Sequence, residues 1–141
     1  RFPRARFERS YDFSFSGLKT AVARLWENVR DGRLSHPSED VAAAFQAAVV
    51  EVLADHTTRA ATEVGARQIL MAGGVAANAA LREEMRKRSA ALDIPLHYPP
   101  PNLCTDNGAM VACAGCHLLI RGVRSPLDLD TFSALPLGAH V

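Results

Sequence analysis

Apolar residues recur along this chain in two rhythms, one helical and one extended, separated by glycine and proline. Leu18, Val22, Leu25, Trp26 and Val29 fall on one face at helical spacing, which predicts a helix over 16–30. Val41, Phe45, Ala48, Val49, Val52, His56 and Ala60 repeat the pattern over a longer helix, 39–64. Ser38 behind Pro37 reads as its N-cap and Gly65 as its terminating glycine. An unbroken apolar run at 69–72 reads as a short buried strand, and Gly73-Gly74 stops it before an alanine-rich helix at 76–90. A second short strand is predicted at 94–98, ended by Pro99, Pro100 and Pro101, and a last helix ends near Arg121. Phe13 and Phe15 alternate with serine, the pattern of a half-buried strand at 12–15.

Strands and helices in this order predict an α/β layer domain with helices covering a small mixed sheet. The domain is expected to span 1–122, with 123–141 as a loosely attached tail broken by prolines and a glycine. The Gly73-Gly74 pair and the Cys104-Thr105-Asp106-Asn107 stretch both stand just past the C-terminal ends of predicted strands. Open α/β sheets place their ligands there.

Composition narrows the field. With 141 residues the chain is one domain's worth, and a net charge of +1 predicts neither a nucleic-acid coat nor a membrane surface. The longest apolar stretch, 108–120, is too short for a membrane span and contains His117. Three cysteines fit reduced thiols in a cytosol, and a start at Arg1 reads as a piece of something longer. Cys113-Ala114-Gly115-Cys116-His117 matches the letters of a haem-attachment motif, yet it falls inside an apolar helical run where cysteines pack as small hydrophobes, so no haem is expected. Arg1, Arg4, Arg6 and Arg9 form a basic segment suited to a phosphate grip or to an ordinary surface connector.

The sharpest chemistry lies at the two strand ends. Glycine at 73 and 74 allows a sharp turn and a close ligand approach, and the helix start beyond supplies unpaired amides. Asn78, in the expected first turn, offers an amide that both donates and accepts toward a ribose or phosphate. Asp106 is either an ordinary helix N-cap, as is Thr105, or a carboxylate placed to hold a divalent metal. Lys19 near a helix start carries a weaker phosphate reading, and His56 on an apolar face reads as a histidine satisfied by a neighbour.

Four stretches, Asp12-Phe13-Ser14-Phe15-Ser16-Gly17-Leu18-Lys19-Thr20-Ala21-Val22, Val41-Ala42-Ala43-Ala44-Phe45-Gln46, Gly73-Gly74-Val75-Ala76-Ala77-Asn78 and Cys104-Thr105-Asp106-Asn107-Gly108-Ala109-Met110, occur in this order. Together they resemble the C-terminal lobe of the tRNA N6-adenosine threonylcarbamoyltransferase family, formerly called O-sialoglycoprotein endopeptidase. The resemblance implies an actin-like/Hsp70-like ATPase (ASKHA) fold, of which this chain would be one partial lobe. It implies transfer of a threonylcarbamoyl group from threonylcarbamoyl-AMP to N6 of the adenosine 3′ of the anticodon, in tRNAs reading codons that begin with A. It also implies a paralogous partner subunit and a small ATPase as partners, and one divalent metal ion, iron or zinc, completed by ligands outside this chain.

Residue by residue, the resemblance makes Asn78 a contact to the substrate adenylate, Gly73 and Gly74 the turn it approaches, and Asp106 a metal ligand. Gly108 stands where the family usually has alanine. No residue of this chain is assigned a catalytic acid or base, and the isolated chain is expected to be inactive. The alternative is a non-catalytic actin-like scaffold subunit of the same modification complex. A zinc peptidase is discounted because no His-Glu-x-x-His motif occurs.

Overall fold

Two helices precede the sheet: α1, Ser16–Arg30, and α2, Ser38–Glu63. Both have nearly the bounds that the apolar spacing predicts, but Trp26 and Phe45, expected on the apolar faces, are 46% and 38% exposed. In the computed structural model, which describes residues 1–5, 10–128, 130 and 134, α2 is the element against which the first part of the chain packs. Pro37 rather than Ser38 occupies its N-cap position, and Ser38 is its first helical residue. The other end behaves as glycine chemistry requires. Gly65 takes φ +63, its amide donates to the Thr62 carbonyl and the Ala66 amide to the Ala61 carbonyl, a Schellman closure of two orphan carbonyls.

Beyond α2 come β1, Ile69–Leu70, a 3-10 turn at Gly74–Ala77, α3, Ala79–Ala91, and β2, Leu96–His97. A second 3-10 turn, Pro101–Leu103, leads to α4, Gly108–Ile120. The strands pair in parallel, Ile69 with Leu96 and Leu70 with His97. Among the described residues the sheet is therefore parallel and two-stranded, not mixed. The far edge of β1 carries no strand among the described residues, and Leu70 is 69% exposed.

The chain divides into two compact units, Arg1–Thr105 and a second that begins at Asp106. Two apolar clusters organise the first. Ala54 and Ala61 of α2 meet Ile69 of β1 and Leu81 and Met85 of α3. Phe2, Leu18 of α1, and Val41 and Ala48 of α2 form the other. Alanines at the contacts let the helices approach closely, and burial of a side chain such as Met85 contributes about 1.5–3 kcal/mol.

The expected strand at 12–15 is absent: the segment has no ladder partner among the described residues and Phe15 stands at the N-cap position of α1. Its alternation serves a helix instead of a sheet. Residues ahead of the segment are tied to α2, with Arg4 Nε donating to Glu51 Oε2 at 2.6 Å, Arg59 Nη2 to the Ser10 carbonyl at 2.6 Å and Tyr11 to Glu63 at 2.7 Å. Arg4 is thus engaged with a carboxylate, and Arg6 and Arg9 of the basic segment lie outside the described residues. His56, 1% exposed, hydrogen-bonds the Asp12 carbonyl through Nδ1 at 3.0 Å and stacks on Phe13. A residue forty-four positions earlier supplies the partner that no sequence neighbour offered.

In the second unit, α4 buries none of its residues, and Cys113 and Cys116 are exposed instead of packed. Most of 123–141, the expected tail, lies outside the described residues. No helix among the described residues is long and apolar enough to cross a membrane.

Candidate active site

The turn that leaves β1 is built around one backbone conformation. Gly73 takes φ 85 and ψ 170, a region open essentially only to glycine. Gly74 is different: a Cβ there would meet only Thr105 Cγ2, at 3.9 Å, an ordinary contact. Within this chain the second glycine is not required by crowding, and its exposed face is open to an approaching group. The Ala76 amide then donates to the Gly73 carbonyl and the Asn78 amide to the Val75 carbonyl, both at 3.0 Å, which closes the 3-10 turn.

This turn shifts the helix relative to expectation. The helix begins at Ala79 and not at 76, because the polar side chain of Asn78 makes a better N-cap than the alanines before it. Asn78 therefore sits ahead of the first helical turn. Its Oδ1 accepts from the Leu81 amide at 3.0 Å and its Nδ2 donates to Gln46 Oε1 at 3.0 Å. One amide hydrogen and one lone pair remain for anything else.

Gly73, Gly74 and Asn78 are thus brought into one turn at the C-terminal end of a parallel strand. Beside it an open concavity of about 780 Å3, mostly apolar, is lined by Phe45, Gln46, Val49, Leu70 and Val75 together with Asn78. Lys19 lines the same concavity. Two side chains of this region escaped the sequence reading. Gln46, which orients Asn78, lies within one of the four family-like stretches but carries no signal of its own. Arg82 did carry one: a cation near a helix N-terminus opposes the dipole, so something else must hold it.

Asp106 opens the second unit and is exposed. The capping role that competed with metal binding is filled by its neighbour, since Asn107 Oδ1 accepts from the Met110 amide at 3.0 Å. Neither Thr105 nor Asp106 is the N-cap of α4, and Gly108 takes its first position. Among the described residues no group of three His, Cys, Asp or Glu side chains is placed to hold a metal ion. With fewer than the about three protein ligands of a catalytic metal brought together, the described residues do not by themselves fit a metal centre.

Known proteins match the sequence of this chain over most of its length. The family model for tRNA N6-adenosine threonylcarbamoyltransferase matches residues 1–113, a span that contains the glycine turn, Asn78 and Asp106. The tRNA N6-adenosine threonylcarbamoyltransferase of Thermomicrobium roseum is 53% identical, over 96% of this chain and 41% of the relative. The protein of the same name from Symbiobacterium thermophilum is 54% identical, over 96% of this chain and 40% of its own length. The chain thus spans about two-fifths of the length of the curated relatives it matches. With the glycine turn, its capping asparagine and the succeeding aspartate all inside the matched span, the chain belongs to the tRNA N6-adenosine threonylcarbamoyltransferase family.

Proposed function

We propose that this chain is the C-terminal part of an acyltransferase that moves the threonylcarbamoyl group of threonylcarbamoyl-AMP to N6 of the adenosine 3′ of the anticodon, in tRNAs reading codons that begin with A. The observation that carries this reading is the Gly73–Asn78 turn at the end of β1, set in a chain that matches the family over residues 1–113. In the transfer, the adenosine nitrogen bonds to the carbamoyl carbon, the bond from that carbon to the phosphate oxygen breaks, and AMP leaves with the electron pair. The nitrogen loses a proton. The mixed anhydride is already activated, so the protein's task is chiefly orientation.

On this reading the free face of Gly74 receives the adenylate, and the remaining amide hydrogen and lone pair of Asn78 meet its polar groups. Asp106, not spent on capping, would be this chain's contribution to a divalent metal site whose other ligands lie elsewhere. Such an ion, iron or zinc, would supply Lewis-acid polarisation. The unpaired edge of β1, the apolar concavity beside it and the uncovered sides of α4 support the finer fold assignment, a partial actin-like lobe that further structure would cover. The proposed setting is cytoplasmic, with the paralogous subunit and the small ATPase as partners.

The double engagement of Asn78 by Gln46 and Leu81 favours one second reading, a scaffold subunit in which that amide is purely structural. Transfer of labelled threonylcarbamoyl to tRNA by the complete polypeptide with its partner subunits separates the two. Transfer that falls at least tenfold in Asn78→Ala and Asp106→Ala, with folding retained, supports the transferase; unchanged transfer supports the scaffold. The isolated chain is expected to transfer nothing, and activity from it alone would refute the incomplete site.

A further inference from the structure

Arg82 reaches from α3 into two loops at once. Its Nε donates to the Ala76 carbonyl at 2.5 Å, inside the turn that follows Gly73-Gly74. Its Nη2 donates to the Pro99 carbonyl at 2.7 Å and to Cys104 Sγ at 3.1 Å, both in the segment that leaves β2. The guanidinium carbon lies 4.5 Å from the centroid of the Tyr98 ring, within cation–π range. The Arg82 amide bonds the carbonyl of Asn78 at 3.0 Å, so the same residue also closes the first helical turn behind the cap.

The acceptors are arranged for a fork and not for a point charge. Cys104, 4% exposed, has its thiol directed at the carbonyls of Pro99 and Pro100 at 3.8 and 3.6 Å, so the second loop is already folded over its own backbone. A planar guanidinium with fixed donors spans Ala76 on one side and Pro99 with Cys104 on the other. A lysine ammonium at the end of a flexible stem cannot hold both at once. Thr105, next to Cys104, is the residue a side chain at position 74 would touch, so the braced loops face each other across Gly74.

We propose that Arg82 is a positioning residue for the transfer: its contacts to Ala76, Pro99, Tyr98 and Cys104 lock the Gly73–Asn78 turn to the 98–105 segment, so the adenylate site is formed before the donor arrives. This rests on the transferase reading above. Preorganisation by a side chain that acts through the two loops it joins bears on donor binding far more than on tRNA binding.

The test uses the complete polypeptide with its partners and the variants R82K and R82A. Hydrogen exchange in 73–78 and 98–105 is expected to accelerate together in both variants while α2 exchange stays unchanged. The KM for added threonylcarbamoyl-AMP is expected to rise roughly ten- to a hundredfold, by the scale of a small misplacement, with the KM for tRNA within about twofold. Added guanidinium is expected to restore part of the donor KM in R82A. Acceleration in one loop only, or uniform acceleration across the first unit with both KM values moving together, would overturn the proposal. Should R82A not fold, R82K alone decides by the same criteria. A wild-type complex that forms no product overturns the transferase reading and with it the role in transfer, whereas normal wild-type turnover with unchanged R82K exchange overturns only the brace.

Discussion

α3 and α4 are built from the same local parts and differ in what surrounds them. Each has 13 residues, and each starts on an asparagine whose side chain accepts from the amide three positions on, at 3.0 Å. Each ends on a left-handed residue, Asp93 at φ 54 and Gly122 at φ 80, with a following amide returned to the last turn at 3.0 Å. Their flanks are opposite. α3 is charged outside and buries Leu81, Met85 and Ser89 as a stripe, whereas α4 is apolar nearly all round and buries nothing. Caps and terminators therefore set where a helix begins and ends, and they do so independently of its environment. The side chains between record the environment: α4 has the composition of a helix covered on every side.

The comparison can be broken most sharply in the core. Met85→Ala in α3 is expected to destabilise the first unit by about 2–5 kcal/mol in urea unfolding, as large-to-small core changes do. Ile120→Ala, at a position 77% exposed, should change it by less than about 0.5 kcal/mol. Equal costs would show that the two helices are not differently packed in this chain. Next come the caps: Asn78→Ala and Asn107→Ala should each cost about 1 kcal/mol. Asn78→Ala should cost more, because Gln46 loses its partner. Asp93→Gly should raise stability by about 0.5–1 kcal/mol by removing the strain of a side chain in left-handed backbone.

The smallest effect is electrostatic. The Arg86 hydrogen bond to Glu83 holds that carboxyl below its ordinary value, assisted by the charges of Arg86 and Lys87. A folded value below the unfolded one stabilises above the unfolded pKa, near 4.3, and is lost as pH falls through the lowered folded value. Protection factors along α3, which remove the pH dependence of intrinsic exchange, should therefore fall slightly in acid, while those of α4, which has no acidic residue, should not respond there.

Elements set by periodicity and terminators were legible in the sequence. α1 and α2 run nearly as their apolar spacing predicts, and Gly65 ends α2 as a left-handed residue. Elements that depend on distant partners were not. Phe13 and Phe15 alternate like a strand, but the open place for that segment was the flank of α2, where His56 meets the Asp12 carbonyl and Arg59 holds the Ser10 carbonyl just ahead of it. At the site, the glycine turn and Asn78 were visible, and the intervening 3-10 turn was not, because alanines suit both helices equally. Gln46 joined the site through a contact 32 residues away in sequence, beyond the reach of any local pattern.

The three thiols of this chain fall into two chemically separate classes. Cys104 is buried beneath the guanidinium of Arg82, while Cys113 and Cys116 stand exposed one helical turn apart on α4. A maleimide fluorophore or spin label would attach to the second unit and spare the first, without any engineered cysteine. This chain thus carries two adjacent reporter positions for watching what settles over α4.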